Sequence, residues 1–128
     1  MTQARRRLGE QVEEIAARVL ERRGARVLAR NQRTTAVRGE IDLVVLDGAD
    51  LVFVEVKART EGAMCGPERA ALAVTRRKQL KLRSLARAWL ADRSGRLPPY
   101  RGLRFDVVGV TVDGGGRVVD WEHVRGAF

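Results

Sequence analysis

The stretch from Gly39 to Arg59 constrains this chain most. It reads Gly39-Glu40-Ile41-Asp42-Leu43-Val44-Val45-Leu46, then Asp47-Gly48-Ala49-Asp50, then Leu51-Val52-Phe53-Val54-Glu55-Val56-Lys57-Ala58-Arg59. Two runs rich in β-branched and aromatic residues around a short Asp/Gly turn predict a β-hairpin. Side chains alternate between the faces of a strand, so Glu40, Asp42, Val44 and Leu46 share one face of the first strand, and Phe53, Glu55 and Lys57 one face of the second. A turn centred on Gly48 and Ala49 sets Asp42 opposite Glu55 and Glu40 opposite Lys57, with directly paired Cβ atoms about 4.5–5.5 Å apart. Facing carboxylates repel each other, and burying unpaired charge is costly. A divalent cation between them would turn the repulsion into ligation, and Mg²⁺ characteristically takes one or two carboxylates together with waters and phosphates. Lys57 could then orient or deprotonate a water, or neutralise charge on a phosphate. The plainer reading is a solvated hairpin end with Glu40 and Lys57 as a cross-strand ion pair.

Asp42, twelve intervening residues, then Glu55-Val56-Lys57 at a strand end resembles the signature of the PD-(D/E)XK nuclease superfamily, the restriction-endonuclease-like folds that include Holliday-junction resolvases. Gly39-Glu40-Ile41-Asp42-Leu43 with Leu51 to Arg59 is similar, more narrowly, to the YraN-like family of bacterial nuclease-like proteins. That resemblance covers nearly the whole chain. Ile41 stands where the superfamily label has proline, which is normal in the YraN-like family. The resemblance implies an α/β, three-layer restriction-endonuclease-like fold, with a mixed sheet of about five strands flanked by helices. It implies Mg²⁺, with Mn²⁺ as a substitute, held by Asp42, Glu55 and the main-chain carbonyl of Val56, with Lys57 assisting catalysis. Resolvase-like relatives carry a further Glu on the first helix, directly on the metal or through water. Glu13, eleven residues before Gly24, matches that place.

At 128 residues the chain is long enough for one domain around one core, residues 1–128. Its net charge of +9 favours an anionic partner, with nucleic acid before an acidic membrane surface. The single Cys65 leaves no internal disulfide, and the single His123 argues against a zinc cluster. No apolar run approaches the ~18 residues of a membrane span. Arg5-Arg6-Arg7 leads into charged sequence rather than a signal-peptide core. A cytoplasmic protein is expected, and a homodimer is left open. The 25 basic residues are 22 Arg and only 3 Lys, which makes each lysine the more informative.

Leu8, Val12, Ile15, Ala16, Val19 and Leu20 recur at helical spacing, predicting a helix from about Arg5 to Arg23 that ends at Gly24. Glu10 and Glu14 point away from its apolar stripe, whereas Glu13 lies at the edge, about 100° from the centre. Ala25 to Asn31 is a candidate edge strand. The following loop places Arg33 and Arg38 beside the hairpin end, within reach of phosphates. Thr60 to Pro67 is a Gly-containing connector next to Lys57 and Arg59. Pro67 suits a helix start, predicting a helix to about Asp92 with Val74, Leu82, Leu85, Ala86 and Trp89 on its apolar face. Arg69, Arg76, Arg83 and Arg87 form a basic stripe opposite, suited either to a phosphate backbone or to solvent. Lys78 sits in the middle of the apolar face, where it must snorkel or point at the site. Leu103 to Val112 reads as a strand that a right-handed crossover makes parallel to its neighbour. Arg117 to Trp121 closes the sheet, and Asp106 reads as structural.

The reading favoured by these residues and by the resemblance is a metal-dependent endonuclease acting on DNA rather than RNA, with branched or structured DNA among its substrates. Asp42, Glu55, Lys57 and Glu13 would carry the chemistry, and Glu40 and Lys78 would support it. Arg33, Arg38, Arg59, Arg69, Arg76, Arg83 and Arg87 would meet nucleic acid. The alternative is a nucleic-acid-binding module of the same fold that cuts slowly or not at all. A protein-interaction domain with incidental charge is the third reading.

Overall fold

The computed structural model describes residues 2–62 and 74–128. The first helix, α1 (Gln3–Arg22), starts where the Thr2 hydroxyl accepts the Arg5 N–H at 3.2 Å. It stops at Gly24, whose φ of +97° lets the chain reverse. Five strands follow: β1 (Arg26–Gln32), β2 (Ile41–Asp47), β3 (Asp50–Thr60), β4 (Gly102–Val112) and β5 (Val118–Val124). The second helix, α2 (Arg76–Asp92), lies between β3 and β4 in the chain.

The strands form one open sheet in the order β1-β2-β3-β4-β5. The β1–β2, β2–β3 and β4–β5 pairs are antiparallel, and β3–β4 is parallel across the α2 connection. β1 and β5 are the edges, as the sequence predicts. The hairpin has the expected register: Leu43 pairs with Val54, Val44 with Phe53 and Asp47 with Asp50. Gly48, at φ +59°, supplies the left-handed residue that such a tight turn needs.

Among the described residues, one helix covers each face. Val12, Ala16, Ala17 and Leu20 of α1 pack on Leu43, Val45, Val52, Val54, Val108 and Val110. Leu82, Leu85, Ala86 and Trp89 of α2 pack on Ile41, Val44, Phe53, Phe105 and Val107. Trp89 meets Phe53 edge to face at 5.9 Å, and its indole N–H donates to Gln32 Oε1 at 3.0 Å. The result is the helix–sheet–helix layering of the restriction-endonuclease-like fold.

Two expectations need correction. The helix does not run unbroken from Pro67 to Asp92. α2 begins at Arg76, because Thr75 is extended (φ −64°, ψ 161°) and its hydroxyl takes the Lys78 N–H. Val74 joins the α2-side core ahead of the helix, and Pro67 and Arg69 lie outside the described residues. Glu40 does not sit opposite Lys57. The strand starts at Ile41, and Ile41 packs with Val44 on the α2 side, so the alternation of faces breaks at Asp42.

Candidate active site

The break is made by the acid itself. Regular β2–β3 pairing ends at Leu43 and Val54, and Asp42 Oδ2 then accepts the Val56 N–H at 2.8 Å. A side chain therefore replaces a main-chain acceptor at the open end of the hairpin. In an extended strand the N–H and C=O of one residue point to the same edge, so the Val56 carbonyl faces this opening too. Asp42 and Glu55 meet there. Their carboxyls lie within hydrogen-bonding reach, and Asp42 is pushed up to about 9, first by burial and then by Glu55. Glu55 is 5% exposed, and its Oε2 has no hydrogen-bond partner among the described residues.

Two further acids join them. Carboxylate oxygens of Glu13, Glu40 and Asp42 all lie within 4.8 Å of one another. Glu13 reaches in from α1, and burial followed by Glu40 raises its pKa. Glu14, one residue on, points elsewhere and is held by Arg18 at 3.1 Å and by Arg30 of β1. Asn31 holds Glu13 and Glu40 together. With its amide oriented to satisfy the network, its nitrogen donates to Glu13 Oε2 at 2.6 Å and Glu40 Oε1 at 2.7 Å. Asn31 has φ +49°, a conformation asparagine tolerates better than most residues. The sequence reading missed it, although an Asn at a strand end, ahead of the loop that carries Glu40, was the available signal.

Two cations reach the cluster, and a third stands beside it on β3. Arg33 pairs with Glu40 at 2.9 Å, in place of the expected Glu40–Lys57 pair. Lys78 of α2 brings its Nζ to 3.6 Å from Glu55 Oε2, so this lysine does point at the site. Lys57 lies half-buried two residues beyond Glu55 and makes no ion pair among the described residues. Gly39, at φ +129°, lets the chain pass close under α2: a Cβ there would meet Leu85 at 3.1 Å and the Lys81 stem at 3.4 Å.

The arginines divide. Arg38, Arg76 and Arg87 are exposed, and Arg59 is half-buried. Arg83 lies over the Phe105 ring at 4.8 Å, so α2's outer stripe is not wholly given to solvent. Arg69 is not among the described residues.

A second charged cluster sits toward the turn end of the hairpin. The Arg104 guanidinium bonds Asp106 at 2.9 and 3.0 Å, Asp47 at 2.8 Å and Asp50 at 3.0 Å. Asp106 also meets His123 Nε2 at 2.8 Å and accepts the Gly126 N–H at 3.0 Å. Burial would raise Asp106, but these partners together hold it down at about 2. Asp106 is thus tied into the scaffold, as the sequence suggests.

The layering and the acids at a broken hairpin end place the molecule among restriction-endonuclease-like α/β proteins. The model of the uncharacterised protein family UPF0102 matches residues 12–110, and the chain belongs to that family, the YraN-like family named from its hairpin. It is 46% identical to a UPF0102 protein of Pelotomaculum thermopropionicum over 128 residues, the full length of both chains. It is 41% identical to one from Moorella thermoacetica, also over the full length of both. A Frankia alni relative is 47% identical over 123 residues, 94% of this chain and 93% of that one. Among the described residues, no helix is long and apolar enough to cross a membrane.

Proposed function

We propose that this protein is a divalent-cation-dependent endonuclease hydrolysing phosphodiester bonds in DNA, with branched or structured DNA among the candidate substrates. One observation carries the reading: the half-buried Asp42 and the buried Glu55 bring their carboxyls within hydrogen-bonding reach, and among the described residues Glu55 Oε2 accepts no hydrogen bond, Lys78 stopping 3.6 Å away. Burial and then Glu55 push Asp42 up, as expected where Lys78, 3.6 Å from Glu55, is too loosely placed to offset the crowding. Oxygen donors alone suit Mg²⁺ or Mn²⁺ rather than a softer metal. Asp42, Glu55 and the Val56 carbonyl would hold the ion, with Glu13 beside them. A divalent cation supplies charge stabilisation to a phosphoryl oxygen and acidifies water.

The chain's own groups do the rest. Asn31 keeps Glu13 and Glu40 facing inward. Lys57, on the strand that carries Glu55, would hold a phosphate oxygen or take a proton from water. Exposed Arg38, Arg76 and Arg87 would meet flanking phosphates, in keeping with the net charge of +9.

The test is a panel of single-stranded, duplex, flapped and four-way DNA, with the corresponding RNA, incubated with Mg²⁺ or Mn²⁺. Wild type should cut at least one substrate and require the ion, and Asp42→Ala should not cut. Binding without cutting of any substrate would favour the inactive binding module. Equal cutting by Asp42→Ala would move the activity away from this site.

A further inference from the structure

We propose that Lys78 is a place-holding cation. Its ammonium neutralises Glu55 while no divalent cation is bound, and a bound ion drives it out to a substrate phosphate. This rests on the metal-dependent reading above and adds to it a residue that exchanges partners.

The position of Lys78 is otherwise hard to explain. It stands among Leu82, Leu85, Ala86 and Trp89 on the face of α2 that buries itself on the sheet. Its main chain is fixed, since its N–H donates to the Thr75 cap at 3.2 Å. Its side chain is not fixed. Nζ stops 3.6 Å from Glu55 Oε2, beyond the usual reach of about 2.7–2.9 Å for a charge-assisted hydrogen bond. Glu55 is 5% exposed, whereas the Lys78 side chain is 41% exposed, so one partner is held in place and the other has room to swing outward.

The residue type fits exchange. Arginine locks on carboxylates with a planar fork, as Arg104 does on Asp106 through two nitrogens. Lysine is a point charge on a flexible stem, and it can leave one anion for another without breaking a fixed geometry. All three lysines of the chain stand near this site. Lys57 is two residues from Glu55, and the stem of Lys81 lies beneath Gly39, next to Glu40. A divalent ion on Glu55 would sit within a few ångströms of the ammonium, and like charges at that range repel strongly.

The experiment is calorimetric titration of the purified, metal-stripped protein with Mn²⁺ alone. Wild type, Lys78→Gln and Lys78→Arg are compared, each checked for an intact melting transition. If Lys78 competes for Glu55, removing it raises apparent Mn²⁺ affinity roughly ten-fold, because a larger fraction of molecules offers a free carboxylate. Lys78→Arg should bind Mn²⁺ more weakly than wild type, since a fork holds Glu55 more firmly. Equal or weaker Mn²⁺ binding by Lys78→Gln would overturn the place-holder while leaving the metal site standing. Absence of Mn²⁺ binding in all three would overturn the metal site itself, and the place-holder with it.

Discussion

The two ends of the β2–β3 hairpin carry the same kinds of residue and treat them in opposite ways. At the turn end, Asp47, Asp50 and Asp106 share one arginine, and Asp106 also has His123 and a main-chain donor. At the open end, Glu13, Glu40, Asp42 and Glu55 crowd together, with Arg33 on Glu40 and a loosely placed Lys78 on Glu55. One aspartate is therefore held at about 2 and another at about 9. Burial alone would raise both, so the difference lies in the partners. A satisfied network stabilises the scaffold. An unsatisfied one costs stability, and such sites persist where they serve a function.

The largest expected effect breaks the satisfied end. Arg104→Met strips the cation from Asp106, which is 1% exposed, and should cost on the order of 3–5 kcal/mol in urea unfolding. A loss below about 1 kcal/mol would mean that the network contributes little.

Acid titration comes next. Asp106 has a folded pKa below its unfolded value, so its contribution is complete above about pH 4 and fades as pH falls towards about 2. Wild type should lose on the order of 1–2 kcal/mol more than Asp106→Asn across that window, after allowance for solvent screening. Parallel curves would remove Asp106 as the cause.

The neighbouring glutamates of α1 sharpen the comparison within one helix. Glu13→Gln relieves repulsion and should raise metal-free stability by less than about 1 kcal/mol, while impairing Mg²⁺-dependent cleavage. Glu14→Gln only loses Arg18 and Arg30, so it should lower stability and leave cleavage alone. Equal effects of the two would make α1 a scaffold and nothing more.

The smallest effect concerns affinity. Removing Arg76 and Arg87 together should flatten the slope of log K against log salt by about 0.9 for each duplex phosphate no longer neutralised. An unchanged slope would take the outer face of α2 out of the interface.

Much of this was legible in the chain, for identifiable reasons. The Gly48-Ala49 turn fixes the register, and register sets Asp42 at the same end of the hairpin as Glu55. Lys78 was conspicuous because a charge interrupted an apolar stripe. Glu13 was separable from Glu14 by its angle on the helix. The start of α2 was misplaced because Pro67 is a stronger written signal than Thr75, although Thr75 is the residue whose hydroxyl caps the helix. Glu40 was misplaced because period-two alternation assumes an unbroken ladder, and the Asp42 carboxylate ends it. The Arg104 network left only the Arg104–Asp106 spacing on β4 as a local signal, since its other members come from the two sides of the β2–β3 turn, β5 and the C-terminal segment.

The central claim is that the open end is strained in its charges because it awaits a divalent cation. Asp42→Asn tests it most directly. An asparagine oxygen still accepts the Val56 N–H, and its NH₂ can donate to Glu55. For an acid with a raised folded pKa, the penalty begins above the unfolded value and grows until about pH 9. At pH 7.5 in chelator, Asp42→Asn should therefore be more stable than wild type by about 1–2 kcal/mol. Mn²⁺ at free concentration c should then stabilise wild type by RT ln(1 + c/Kd) and leave the variant nearly unmoved, closing or reversing the gap. A less stable variant in chelator, with Mn²⁺ shifting neither protein or both alike, would contradict the account.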